Sequence, residues 1–171
     1  MEGVRIVRRN FTGLEAQFNP PGQRNFLVLL PDNVAADMEA DGWNVKYLQP
    51  KEDEVDGKPQ PFLKVKVNFE VDNPPQLVLV TERGKTKLTK DEMLLLDFAE
   101  IINVDLIVSP YNWDVSGKTG VTAYLKKGYF TIQEDALDVK YADVADTAAG
   151  TAASAHEAMA RREVQFEDLG D

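Results

Sequence analysis

The sequence predicts a mainly β fold, a barrel or sandwich with two short inserted helices, followed by a flexible acidic tail. Residues 62–69 alternate strictly: Leu63, Val65, Val67 and Phe69 fall on one face and Lys64, Lys66 and Asn68 on the other, the period of a half-buried strand. Six to eight such short runs recur between turn signals, without the strand–helix–strand rhythm of a parallel α/β protein. Beyond about Asp143 the composition shifts to Ala, Thr, Ser and Gly, too poor in large apolar side chains to offset the entropy of ordering. The expected division is a β-barrel body over residues 1–142 and a linker with an acidic tip over 143–171.

Each element has a local reason. Val4–Val7 is a short apolar stretch leading into Arg8-Arg9-Asn10-Phe11 and a turn at Gly13. Leu14–Phe18 is expected as a first strand, closed by the turn Asn19-Pro20-Pro21-Gly22. Asn25-Phe26-Leu27-Val28-Leu29-Leu30 reads as a buried strand. Asp32 is then expected as the N-cap of a short helix to about Ala40, ended by Gly42. Trp43–Leu48 alternates as a further strand, and Lys51–Pro61, charged and carrying Gly57, Pro59 and Pro61, is a surface loop. Past residue 69, Asn73-Pro74-Pro75 turns the chain into a strand over Gln76–Thr81, and Gly84 marks a turn within Arg83–Lys87. Thr89-Lys90-Asp91-Glu92 has the pattern of a capping box and predicts a helix to about Glu100, apolar nearly all round and so packed into the body. Ile101–Trp113 is a long strand, Asp114–Gly120 a turn, and Val121–Lys126 with Tyr129–Ile132 the closing strand. In the tail, Ala152–Arg162 is too short for more than a transient helix.

Charge is segregated along the chain. Residues 1–130 hold 16 Lys+Arg against 19 Asp+Glu, whereas residues 131–171 hold 3 against 10. The body is thus near neutral and has room for a local basic groove, although the whole chain carries −10. The absence of cysteine excludes disulfides, thiolate catalysis and Cys-ligated metal sites, and the single histidine, His156, lies in the tail. No apolar run approaches the ~20 residues that span a bilayer, and no signal-peptide core opens the chain, so a cytoplasmic protein without membrane contact is expected. Glu52, Asp53, Glu54 and Asp56 lack calcium-loop spacing, and no nucleophile elbow is present. No catalytic residue, metal or cofactor is assigned, and the chain is not expected to be an enzyme.

The informative residues are basic and aromatic. Tyr111 and Trp113 share one strand face, and Thr122, Tyr124 and Lys126 share another, with Val121, Ala123 and Leu125 opposite. With Lys64 and Lys66 they supply what a single-strand binder needs: cations to track phosphates and aromatic faces to stack on bases. The competing account is that the aromatics are half-buried packing residues and the lysines merely solvated. Arg83, Lys85 and Lys87 form a second basic strip suited to phosphate contact. Gly117-Lys118-Thr119-Gly120 has no glycine at the position a phosphate-binding P-loop requires, where Asn112 stands, and no helix follows it. It reads as a hairpin turn with Lys118 near its tip.

The stretch from Ile102 to Trp113, followed by Gly117 to Lys126, resembles the late strands of phage single-stranded DNA-binding proteins. So does the opening Arg8-Arg9-Asn10-Phe11-Thr12-Gly13, with Phe18-Asn19 and Arg24-Asn25-Phe26. The likeness covers most of residues 5–132 and is sharpest at Pro110-Tyr111-Asn112-Trp113 and Gly117-Lys118-Thr119-Gly120. The resemblance implies an OB-fold-like antiparallel β-barrel, no cofactor, and sequence-tolerant binding of single-stranded DNA in phage replication or recombination within the host cytoplasm. It also implies stacking by Tyr111, Trp113 and Tyr124, with Lys126 on phosphate. The acidic tip, with Phe166, Glu167 and Asp168, would recruit replication or recombination proteins and screen the groove, and a homodimer is compatible with this reading. The alternative is a non-enzymatic β-rich phage structural or protein–protein interaction module.

Overall fold

The alternating run at residues 62–69 is realised as the central strand of a rolled sheet. The computed structural model describes residues 1–134, which include strands β1 (Arg5–Asn10), β2 (Arg24–Leu29), β3 (Val45–Leu48), β4 (Gln60–Val67), β5 (Gln76–Thr81), β6 (Gly84–Lys87), β7 (Ile101–Val115) and β8 (Lys118–Ile132). Helix α1 (Asp32–Ala40) follows β2, and α2 (Leu94–Phe98) follows a 3-10 turn at Lys90–Glu92. The sheet order is β1-β2-β4-β8-β5-β6, with β3 also paired to β4 and β7 to β8.

Strands β1, β2, β4, β8 and β7 make a five-strand circuit, and the N-terminal residues close it. The Met1 ammonium donates to the Leu106 carbonyl (2.8 Å), the Leu106 N–H donates to the Met1 carbonyl (2.7 Å), and the Val4 N–H donates to the Val104 carbonyl (2.9 Å). This is the expected mainly β, OB-type barrel with two short helices. Five of its ladders are antiparallel; β8 runs parallel to β4 and to β5. Parallel neighbours need a long crossover, and the chain between β4 and β8, which contains β5 to β7, provides one.

The inner face forms the core. Leu63, Val65 and Val67 of β4 are buried with Phe26 and Val28 of β2 and Ala123, Leu125 and Phe130 of β8. Phe11 stacks on Phe26 (5.0 Å between centroids) and meets Phe130 edge-on (5.4 Å). Ala35 of α1 and Leu96 of α2 are buried in this same core, so both helices serve the inner side.

Three local expectations are corrected. Leu14–Phe18 is not a strand: the first strand is Arg5–Asn10, and the following loop is shaped by side chains. The Asn10 Oδ1 accepts from the N–H groups of Gly13 and Leu14, and the Asn19 amide donates to the carbonyls of Leu14 and Gln23. The helix predicted from Thr89 to Glu100 is a 3-10 turn followed by the five-residue α2, and Thr89 makes no side-chain cap. Its ends are fixed by tertiary contacts instead. The Arg9 guanidinium donates to the Leu96 and Ala99 carbonyls, and the Asp97 carboxylate accepts from the Phe11 and Thr12 N–H groups and the Thr12 hydroxyl. The turn predicted over Asp114–Gly120 shrinks to Ser116-Gly117, with φ of 53° and 79°, a two-residue geometry whose twist lets both strands run on to it.

The body forms one unit, Met1–Ile132. The predicted body–tail boundary at 142/143 and the acidic tip lie outside the described residues.

Candidate nucleic-acid interface

Period-two alternation gives the sheet a second face, away from the core, and the ladder registers show which residues share it. Across β7 and β8, directly opposed pairs are Trp113 with Gly120, Tyr111 with Thr122, and Ser109 with Tyr124. Lys66 of β4 lies beside Tyr124, and Asn25 of β2 beside Lys66. Lys64 is two residues back on β4, and Phe62 two further, with Lys46 of β3 paired to it.

The face continues past a bulge. Ile107 opposes Lys127 while Val108 opposes Leu125, which leaves Lys126 as the extra residue. Before it, Ala123 and Leu125 point to the core; after it, Gly128 and Phe130 do. The alternation therefore restarts, and Lys127, Tyr129 and Thr131 continue the outer face begun by Thr122 and Tyr124. At the same point β8 exchanges β4 for β5, pairing Lys127 with Gln76, Tyr129 with Val78 and Thr131 with Val80. Beyond β5, Val78 opposes Lys87 and Val80 opposes Lys85. One surface thus runs from the β7–β8 turn, across the barrel, onto the β5–β6 hairpin.

Its aromatic side chains differ in presentation. Tyr111 is 58% exposed and meets Tyr124 edge-on at 5.9 Å, with ring planes at 76°. Trp113 lies over Gly120, in space that any side chain there would fill. Tyr129 carries two ammonium groups against its ring, Lys127 at 5.1 Å and Lys85 at 5.7 Å from the centroid. Trp43 packs against the core instead.

Among the described residues no carboxylate comes within ion-pair distance of Lys64, Lys66, Lys85, Lys87, Lys118, Lys126 or Lys127, whereas Lys90 pairs with Glu70. Partial burial holds the Lys64 ammonium below the usual lysine range, and repulsion from Lys66 and Lys46 adds to the effect. A phosphate oxygen arriving there would offset the repulsion and favour the charged ammonium.

The structure therefore brings together Lys64, Lys66, Tyr111, Trp113 and Tyr124 on the barrel, with Lys126 at the bulge. Lys118 opens β8 at the far end of the β7–β8 hairpin. Lys85 and Lys87 sit on β6, and Arg83 precedes that strand in the turn. Phe166, Glu167 and Asp168 lie outside the described residues. Sequence reasoning missed Lys46, Lys127 and Tyr129. Lys46 stood on the polar side of an alternating run; Lys127 and Tyr129 were concealed by the bulge. It also missed Phe18, 89% exposed in the loop between β1 and β2.

Chemically this surface can stack bases, at ~1–3 kcal/mol each, and neutralise phosphates. The half-buried carboxyl of Asp97 serves the fold instead. Burial raises it above the ordinary range, and the bonds from Thr12 and Phe11 partly offset that rise. Among the described residues no group of three or more His, Cys, Asp or Glu is placed to hold a metal.

Comparison with known proteins gives the class. A family model described as "Putative phage ssDNA-binding domain" matches residues 1–168, and the chain belongs to that family. Among solved structures it is similar to the single-stranded DNA-binding protein of bacteriophage Enc34 in complex with ssDNA, at 13% identity over 78% of this chain and 85% of that one, TM-score 0.46. A C-terminal truncation of the Enc34 protein matches at 10% identity over 78% and 84%, TM-score 0.46. Another similar structure is gp2.5, a single-stranded DNA-binding protein encoded by bacteriophage T7, at 11% identity over 85% and 92%, TM-score 0.38. No curated protein matches the chain in sequence.

Proposed function

We propose that this chain coats single-stranded DNA during phage replication or recombination in the host cytoplasm, by binding and not by catalysis. The observation that carries the reading is the outer face: exposed Tyr111 and half-buried Trp113, Tyr124 and Tyr129 share one continuous surface with lysines that, among the described residues, have no carboxylate within ion-pair distance, while both helices pack on the opposite face. Tyr111, Trp113 and Tyr124 stack on bases, and Lys64, Lys66, Lys118 and Lys126 accompany the phosphates, with Arg83, Lys85 and Lys87 extending the basic strip. Stacking and charge neutralisation both ignore base identity, so binding is sequence-tolerant.

The tail belongs to the same reading. Residues 143–171 act as an acidic arm that competes with DNA for the lysines and offers Phe166, Glu167 and Asp168 to replication or recombination proteins. Removing residues 146–171 should tighten DNA binding at low salt, and unchanged or weaker affinity would count against screening.

The deciding experiment is a titration of labelled oligo-dT with the full chain, followed by anisotropy, with duplex of equal length as control. Tight binding to the single strand and weaker binding to duplex are expected. Affinity should fall with salt at a log–log slope of about −0.7 per phosphate contact. Absence of binding at low salt, with and without the tail, would leave an interaction module.

A further inference from the structure

We propose that the DNA path does not end at the barrel but continues onto the β5–β6 hairpin, where Lys85 and Lys127 over the ring of Tyr129 form a separate backbone-phosphate subsite. The inference rests on the reading of the outer face as a single-strand platform and goes beyond it. It adds length to the path and gives Tyr129 a role different from that of the other aromatics.

The geometry distinguishes this subsite from the stacking group on the barrel. Tyr124 and Tyr129 are on the same face of β8 but on opposite sides of the bulge, about 15 Å apart at the usual rise of a strand. One nucleotide cannot serve both. Tyr124 is flanked by Ser109 and Lys66, whereas Tyr129 is flanked by Asp105 and Val78, with Lys87 one strand further out.

The two cations converge on the ring from different strands. Lys127 precedes Tyr129 by two residues on β8, and Lys85 reaches it from β6 across β5. The electron-rich face of a tyrosine attracts ammonium groups and reduces the penalty for holding two of them close. Neither has a carboxylate within ion-pair distance among the described residues. Asp105 is the nearest acid across the ladder, but its carboxylate accepts from the Gly3 N–H (2.7 Å) and the Asn103 amide (3.1 Å). What remains is a pair of cations held in place on a strand face, which suits an anion that recurs at intervals along a chain. A ring facing two ammonium groups is poorly placed to take a base, so the subsite reads the backbone and not the bases. Tyr129 is a positioning residue.

The test is the dependence of affinity on oligonucleotide length in the full chain, measured by anisotropy with oligo-dT from a few nucleotides upward. In the unaltered protein affinity should rise again once the oligonucleotide is long enough to leave the barrel. The double variant Lys85→Gln/Lys127→Gln should lose that second rise and, on long oligonucleotides, show a log–log salt slope shallower by about 1.4, two contacts' worth. Tyr129→Phe, which keeps the ring, should behave as the unaltered protein. Tyr129→Leu should reproduce part of the double variant's loss on long oligonucleotides only. An unchanged length dependence and salt slope in the double variant would overturn the subsite. A loss in Tyr129→Leu that the lysine variant does not share would make Tyr129 a stacking residue and overturn its assignment as a holder of cations. If the unaltered chain bound no oligonucleotide of any length, the platform reading itself would fall, and this extension with it.

Discussion

Replacing Gly120 by alanine should weaken single-stranded DNA binding without removing any group that touches DNA. Gly120 is the register partner of Trp113, and the indole lies across it. A Cβ added at residue 120 would come within 2.7 Å of Trp113 Cε2 and 3.1 Å of its Nε1. Relaxed carbon–carbon contact is near 3.5–4.0 Å, so the ring must lift by about 1 Å or rotate away. The backbone at 120 has no left-handed requirement, so alanine strains only the ring. If Trp113 stacks on a base, the displaced ring forfeits up to the ~1–3 kcal/mol of such a contact, about 5- to 140-fold in Kd. Folding should change by less than about 1 kcal/mol, because the hairpin end is exposed. The assay is oligo-dT anisotropy on Gly120→Ala, Trp113→Ala and the double variant, with thermal denaturation as control. The double variant should bind no more weakly than Trp113→Ala, since the alanine acts only through the indole. Trp43 bridges to Val121, next to Gly120, so the fluorescence of Trp113 is read in a Trp43→Phe background. Wild-type affinity in Gly120→Ala despite a shifted Trp113 emission would refute the reasoning, as would losses that simply add.

Four further outcomes are expected. DNA binding should decline at a lower pH than the ordinary lysine value of 10.5, because Lys64 loses its proton early through burial and its lysine neighbours; Lys64→Arg should flatten that part of an affinity–pH profile. Asp97→Ala should cost about 2–3 kcal/mol in chemical denaturation, by leaving the Phe11 and Thr12 N–H groups without their acceptor. Because the folded Asp97 carboxyl is raised above its unfolded value, its own share of stability is greatest below the ordinary value of 3.8 and is lost as pH rises through the folded value; the difference between the unaltered chain and Asp97→Asn across acid pH isolates it. Phe18→Ala should leave the melting temperature within about 2 °C, because an 89% exposed ring contributes little packing; a larger fall would mean that the loop leans on it.

What could be read in the sequence follows from what is local. The alternation of β4 announced both its buried face and Lys64 with Lys66, and the same period placed Tyr111 beside Trp113 and Tyr124 beside Thr122. Helix α1 was legible from Asp32 to Ala40 through its acidic first turn and its glycine stop, although Pro31 and not Asp32 is the N-cap and no side chain caps it. The rest depended on distant partners. A single extra residue at Lys126 reversed the apparent facing of everything after it, so Lys127 and Tyr129 looked out of phase with the site they join. Leu14–Phe18 has the composition of a strand, but the side-chain amides of Asn10 and Asn19 claim the backbone groups that a ladder would use. The α2 boundaries were set by Arg9 and Asp97, contacts made across nearly ninety residues that no window on the sequence contains. Parallel pairing of β8 with β4 and β5 is likewise a property of the whole path.

The change of partners along β8 also gives the body two tiers of resistance to opening. The β7–β8 hairpin is joined by a two-residue turn, so its contacts form at low loop-closure cost. β4 and β5 then dock on the same edge of β8, one on each side of the bulge, and each can leave without taking the other. Loss of β5 and β6 unmasks backbone amides between Lys127 and Thr131, while those at Ala123 and Tyr124 stay shut until the barrel itself opens. In a hydrogen-exchange record the two halves of this one strand should therefore report different free energies, with the step falling at Lys126.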